Sequence, residues 1–448
     1  MKVAGGSILE KASIAKGAAL KLANAGTEGK NNALLRIAAA IDENRGQILA
    51  ANEKDVEAAL ELTREGKLSK ALLDRLKLDN VKIDEIIKSV KDVAELEDPV
   101  GRTQLAIELD RGLELFQVSC PIGVIGVIFE SRPDALVQIA SLCLKTGNAV
   151  MLKGGSEACN SNAALFKVVS EASVSEEIPA GWIQQLETRE DVNEMLKLDK
   201  YINLLVPRGS EQLVKYIQDN TNIMVLGHSE GVCHVYVDRD ADLAMAVDIC
   251  YDAKVQYPAV CNAAETLLVD VAIASEFIPR IADRYKKAGV ELRGCQKTRA
   301  VLGVGGTDQI KPATEEDWRT EYNDLIISIK VVDGVDAAIE HINRYGSGHT
   351  DAIVTENKET AQKFLWFVDS SSVMHNASTR FSDGFRYGKG AEVGISTYKV
   401  HARGPVGPEG LIIYKYMLLG SGQVVARYVG AGAKEFTHRK LSKKQPAL

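Results

Sequence analysis

The chain has 448 residues, 46% hydrophobic and 26% charged, ordinary for a soluble globular protein with room for two or more domains. A formal net charge of −7 excludes a basic nucleic-acid-binding face as its organising feature. No apolar run is long enough to span a bilayer, and the Met1 segment lacks a cationic region followed by an apolar core, so a cytoplasmic enzyme is the expectation.

Residues 8 to about 98 carry Ala, Leu, Lys and Glu at helical spacing, and Asp98-Pro99-Val100-Gly101 breaks the pattern. An alternating stretch, Leu105 to Leu109, is followed by Asp110-Arg111-Gly112 and a second one, Leu113 to Val118. This predicts a β-hairpin, either a sheet edge or an element that pairs with another subunit.

From residue 121 strands alternate with helices. Gly123 to Phe129 reads as a buried strand. Pro133 opens a helix that runs to Lys145 and is closed by Gly147. Ala149 to Leu152, Ile202 to Val206 and Ile223 to Leu226 are further strands. The alternation predicts an α/β fold with doubly wound parallel sheets, whose ligands bind at the carboxyl ends of the strands. Two strand-to-helix turns then become candidates for holding a phosphate, Gly154-Gly155-Ser156 beside Lys153 and Gly209-Ser210 beside Arg208. Neither matches the G-x-G-x-x-G fingerprint, which excludes a standard Rossmann site. Each alone reads equally as a plain tight turn.

A second strand–helix series runs from Val232 to about Asn376. It carries Cys261 in Tyr257-Pro258-Ala259-Val260-Cys261-Asn262, directly before an apolar strand. Pro258 suggests a helix entry there, and a thiol at a helix start can serve as a covalent acyl acceptor. The alternative is a small buried hydrophobe. The other six cysteines show neither zinc spacing nor a disulfide framework. Two later loops, Asn376 to Phe381 and Asp383 to Gly388, offer Asn376, Arg380 and Arg386 for a substrate bearing carboxylate or phosphate. The Lys-rich end from Lys434 reads as a solvated tail.

Several segments together resemble the aldehyde dehydrogenase superfamily and, within it, the γ-glutamyl phosphate reductases. They are Phe129-Glu130-Ser131-Arg132-Pro133-Asp134, Leu152-Lys153-Gly154-Gly155, Val206-Pro207-Arg208-Gly209-Ser210, the Cys261 segment, His349 to Thr355, Asn376 to Phe381 and the Gly404 to Gly410 loop. The resemblance spans about residues 10 to 440, and the tail around Tyr428 to Ala433 looks more similar to fungal members than to bacterial ones.

The resemblance implies NADPH-dependent reduction of L-glutamyl 5-phosphate to L-glutamate 5-semialdehyde in proline synthesis, with Cys261 as nucleophile. It gives the NADPH site to Lys153, Gly154, Gly155, Ser156, Arg208, Gly209, Ser210 and Glu321. Substrate contacts fall to Arg132, His349, Asn376, Arg380 and Arg386, and the oxyanion position to Ser131. It implies a cofactor-binding domain (1–99 and 121–228), a catalytic domain (229–399), and an oligomerisation hairpin with a C-terminal segment (100–120 and 400–448). The implied partners are further copies of the chain and a glutamate 5-kinase, with no metal. Where oxidising relatives carry a general-base Glu, this chain has Val225, which suits a reductase, since a base that activates water would waste the acyl intermediate. Another NAD(P)-dependent aldehyde dehydrogenase, or an inactive binding relative, remains the alternative.

Overall fold

The computed structural model describes residues 7–130, 132–174, 178–227, 230–303 and 310–445. The helical start of the chain forms α1 (Ile8–Leu22), α2 (Thr27–Glu43), α3 (Arg45–Arg64), α4 (Lys70–Leu76) and α5 (Asn80–Glu95). Ser7, Ser69 and Asp79 begin α1, α4 and α5 by accepting a first-turn backbone N–H, satisfying amides that a helix start leaves orphaned. The hairpin follows as β1 (Thr103–Asp110) and β2 (Leu113–Pro121), and its two-residue turn closes through Gly112 at φ +72°.

A first α/β unit comprises β3 (Val124–Phe129), α6 (Pro133–Lys145), β4 (Ala149–Lys153), α7 (Cys159–Val174), β5 (Ile183–Leu186), α8 (Arg189–Met195), β6 (Leu204–Arg208) and α9 (Glu211–Asp219). Its four parallel strands lie in the order β5-β4-β3-β6. Every residue of β3 and β4 is buried, as a parallel sheet covered on both faces requires. The first five helices pack onto this unit. Asp55 of α3, itself buried, takes the backbone N–H of Asn160 and Ser161 and the Ser161 hydroxyl, so one carboxylate caps α7 and fastens α3 to it. The strand expected at Ile223 to Leu226 is reduced to one parallel bridge, Leu205 to Val225. The segment still exchanges two backbone bonds with β6, Leu205 N–H to the Met224 carbonyl and Leu226 N–H to the Leu205 carbonyl, both at 2.8 Å.

The second unit comprises β7 (Cys233–Val237), α10 (Leu243–Val255), β8 (Ala264–Asp270), α11 (Ala274–Lys287), β9 (Glu291–Gly294), α12 (Gln296–Leu302), β10 (Lys311–Pro312), β11 (Ile326–Val332), α13 (Gly334–Tyr345), β12 (Thr350–Val354), α14 (Lys358–Phe367) and β13 (Ser372–His375). Its parallel seven-stranded sheet runs β10-β9-β11-β8-β7-β12-β13. No helix among the described residues is long and apolar enough to cross a membrane.

Past a short antiparallel pair, β14 (Ile395–Ser396) and β15 (Gly404–Pro405), the chain returns to the hairpin. There β16 (Ile412–Leu419) and β17 (Arg439–Lys440) complete an antiparallel sheet ordered β16-β2-β1-β17. The hairpin thus pairs with the chain's own C-terminal segment, from Ile412 opposite Pro121 to Leu419 opposite Glu114. The tail from Lys434 is solvent-exposed, as expected, and is also held along β1. Thr437 and Leu441 donate backbone N–H groups to Leu109 and Ala106, and Lys434 and Tyr428 both reach Asp110. The tail's charge reads as solvated, but the unpaired edge of β1 gives it a backbone template.

Candidate active site

Cys261 lies in the loop between α10 and β8. The expected helix start is absent: α10 ends at Val255 and Pro258 follows its cap residue Gln256 by two positions, where a proline stops a helix. The loop is instead pinned by contacts from several elements. Ala263 N–H donates to the Val260 carbonyl at 2.9 Å, and Arg75 Nη2 of α4 to the Ala259 carbonyl at 3.1 Å. The Cys233 thiol at the start of β7 donates to the Cys261 carbonyl at 3.2 Å, and Asn262 Nδ2 to the Ser382 carbonyl at 2.8 Å. Gly231 passes so close that a Cβ there would overlap the Cys261 backbone. Cys261 remains half-exposed, whereas Cys143, Cys233 and Cys250 are buried, with burial pushing their thiols far up. A thiol that is both reachable and held is what nucleophilic catalysis needs.

The substrate-binding residues implied by the sequence separate on this geometry. Arg380, 8% exposed, is steered by an Nε bond to Gln256 Oε1 at 2.9 Å. Burial lowers its pKa first and the charge of Arg386 second, and Cys261 is among the groups whose field reaches it. Arg386 braces that turn, Nη1 donating to the Arg380 carbonyl at 2.8 Å. His349 is fully buried behind the loop, its Nδ1 2.8 Å from Thr350 Oγ1 and 3.7 Å from Cys233 Sγ. It lies behind Cys233, so direct substrate contact is corrected to a supporting position. Asn376 is a second correction. Its amide is spent on the Thr355 N–H (3.0 Å) and carbonyl (3.1 Å), where it sits at φ +52°. That is the carboxyl end of β12 and β13, while Cys261 is at the amino end of β8. A five-residue parallel strand separates these edges by about 16 Å. Ser131 lies outside the described residues.

The cofactor residues implied by the sequence, Glu321 apart, gather at the carboxyl ends of β4 and β6. Lys153 ends β4 with Nζ 2.6 Å from the Gly154 carbonyl, and burial holds its pKa below the usual lysine range. A Cβ at Gly154 would overlap the buried Asn162, so a glycine there keeps this cradle open before Ser156 starts the next turn, while a Cβ at Gly155 would meet only the movable end of Glu157. Arg208 ends β6 with Nη1 on the Glu392 carbonyl at 3.0 Å, and Ser210 is the residue before α9. The Ser210 N–H donates to Glu130 Oε2 at 3.0 Å, so a carboxylate sits where the start of α9 presents its amides. Glu321 is in the loop before β11, its charge acting on Glu265. Glu265, four residues beyond Cys261, forms a fully buried pair with Lys254 at 2.6 Å. Burial drives the pair towards its neutral forms, raising the carboxyl and lowering the amine.

The aldehyde dehydrogenase family model matches residues 8–299. The chain belongs to this family. Its curated relatives include the γ-glutamyl phosphate reductase of Methanococcoides burtonii, 59% identical over 438 residues and 98% of each chain. That of Acetivibrio thermocellus is 55% identical over 440 residues, 98% of this chain and 100% of its own. The crystal structure of the γ-glutamyl phosphate reductase of Thermotoga maritima superposes with a TM-score of 0.89 at 46% identity, covering 94% of this chain and 100% of that one. Because the archaeal relative aligns over 98% of the chain, the tail is no fungal signature. Within the family fold, Arg75, Gly231, Cys233 and Glu130 are neighbours of the site that sequence reasoning passed over. Only Glu130 lay inside a recognised motif; the others reach the site across more than 25 residues of chain.

Proposed function

We propose that this chain is a γ-glutamyl phosphate reductase, converting L-glutamyl 5-phosphate to L-glutamate 5-semialdehyde with NADPH, the second step of proline biosynthesis from glutamate. The observation that carries the reading is Cys261, half-exposed on a pinned loop, in a chain 55–59% identical over nearly its full length to proteins of that name. The glycine cradle beside Lys153 fits a phosphate-bearing dinucleotide. Residues 1–99 and 121–228 then form the cofactor domain, 229–399 the catalytic domain, and the antiparallel sheet the assembly element of a homo-oligomer that takes its substrate from a glutamate 5-kinase.

In this mechanism the Cys261 thiolate attacks the γ-acyl carbon, the carbon–oxygen bond to phosphate breaks, and phosphate leaves, giving a thioester on Cys261. Bound NADPH supplies the hydride that reduces the acyl group. The tetrahedral thiohemiacetal on Cys261 then collapses, releasing the aldehyde and restoring the thiolate. The Cys261 backbone N–H and the Ser131 position hold the oxyanion. Arg380, braced by Arg386, and Arg132 read the substrate's charges. Val225, partly buried against the core, offers no base to activate water, which disfavours the alternative of an oxidising aldehyde dehydrogenase. The test runs the reaction backwards: glutamate 5-semialdehyde should reduce NADP only when inorganic phosphate is present. Phosphate-independent reduction would replace the proposal with the oxidising alternative.

A further inference from the structure

A cavity of about 390 Å³ beside the nucleophile loop lies between α4, α5 and α6 and is lined by Arg75, Lys82, Glu85, Arg132, Asp134 and Gln138, among others. Its charged groups are not spent on one another. Among the described residues neither arginine forms an ion pair, and neither the Glu85 nor the Asp134 carboxylate accepts a hydrogen bond. Arg75 Nε is buried with no hydrogen-bond partner, although Nη2 of the same guanidinium holds the Ala259 carbonyl. Burial, then the charge of Arg208, lowers the Arg132 pKa, and Asp134 opposes that while Arg75 adds to it. Two arginines therefore share one cavity with two carboxylates, Arg75 from α4, Glu85 from α5, and Arg132 with Asp134 from the start of α6.

We propose that this cavity seats the α-amino-acid head of the substrate: Arg75 and Arg132 take its α-carboxylate, and Asp134 with Glu85 takes its α-ammonium. This rests on the function proposed above and adds to it a specificity site and a residue, Arg75, that the sequence did not nominate. Opposite charges on one ligand match opposite charges on the walls. A simple acid or a lone phosphate would leave the carboxylates facing an anion, which costs affinity. The reach is right. Arg75 grips the chain two residues before Cys261, within ~7 Å of it along an extended backbone, and the glutamyl skeleton must bridge a comparable gap between its acyl carbon and its α-carboxylate. The same side chain thus positions the nucleophile loop and reads the substrate's far end.

Two measurements on the full-length protein test this. In the first, calorimetric titration with L-glutamate, the head group without the acyl phosphate, should show binding that Arg75→Gln and Asp134→Asn each weaken at least about ten-fold. Glutarate, which lacks the ammonium, should bind the unaltered protein more weakly, and Asp134→Asn should leave its binding unchanged or strengthen it, never weaken it. In the second, phosphate-dependent oxidation of glutamate 5-semialdehyde, both variants should raise KM for the aldehyde about ten-fold or more while KM for phosphate stays within about two-fold. Asp134→Asn touches no backbone of the nucleophile loop, so it separates recognition from a displaced loop. If L-glutamate does not bind, or if the variants change KM for phosphate instead, the assignment is overturned even where turnover is intact. If L-glutamate binds as expected but no phosphate-dependent turnover exists, the cavity stands and the proposed reaction falls.

Discussion

The two parallel sheets present their candidate residues from opposite ends. In the four-stranded sheet, Lys153, Arg208 and Arg132 stand at or just past the carboxyl ends of β4, β6 and β3, the edge where open α/β sheets hold ligands. In the seven-stranded sheet the candidate nucleophile stands at the other edge, with Cys261 before β8, Cys233 opening β7 and His349 before β12. The carboxyl edge of that sheet is occupied by a polar lattice. Thr355 Oγ1 donates to Asp238, Asn376 caps Thr355, and Arg239 and Tyr236 both reach Asp270. A rule that holds for one sheet therefore assigns the wrong edge of its neighbour. A site shared by two sheets needs one carboxyl edge and one amino edge to face each other across a common cleft.

The sharpest way to break this contrast is Cys261→Ser. Turnover should fall by at least about a hundred-fold with NADPH affinity unchanged, measured by steady-state kinetics and by titration of the cofactor's fluorescence. Substantial remaining turnover would remove the amino edge from the chemistry. At the opposite edge, Lys153→Ala should narrow the preference for NADPH over NADH by about ten-fold or more, since a charge-assisted phosphate contact contributes ~1.5–3 kcal/mol. Equal use of both cofactors by the unaltered enzyme would refute that reading. Arg380→Lys keeps the charge but loses the planar fork, and efficiency towards the substrate should drop about ten-fold with cofactor affinity within about two-fold. Asn376→Ala should leave kcat/KM within about two-fold while lowering stability by roughly 1–3 kcal/mol, as buried backbone groups of Thr355 lose their partner. A selective loss of activity in that variant would return Asn376 to the site.

The smallest effect concerns the C-terminal segment. Asp110 is held down at about 2 by Lys434 first, then Tyr428 and the Arg111 N–H. A carboxylate depressed in the folded state contributes above its unfolded pKa, near 4, and the contribution fades as pH falls towards 2. Hydrogen exchange should therefore show the tail losing protection over that window before β1 and β2 do, and Lys434→Gln should lose it already at neutral pH. Equal protection of tail and hairpin throughout would show that the backbone bonds alone hold the tail.

What was legible in the sequence follows the range of the signals. The span of α6 from Pro133 to Lys145, the β1–β2 hairpin and the alternation of strands and helices are local patterns of period and punctuation, and the structure reproduces them. The turns beside Lys153 and Arg208 were legible for the same reason. The roles of Arg75, Cys233 and Gly231 were not, because each acts on the Cys261 loop from a distant part of the chain and nothing in its neighbours encodes that contact. Asn376 and His349 were misplaced by the opposite route. Both sit in segments dense with polar residues, and the sequence does not say at which end of a strand, or how deep, each will lie. Pro258 misled because the same residue that can start a helix also ends the one before it.

Gly231 carries a consequence for anyone who would redesign this enzyme. The start of β7 and the nucleophile loop are separated only by the width of a hydrogen atom where a side chain would otherwise stand. The depth at which the sulfur is offered to its substrate is thus gauged by an omission, and a single added methyl group would act as a shim, lifting the loop and its thiol without changing any reactive side chain.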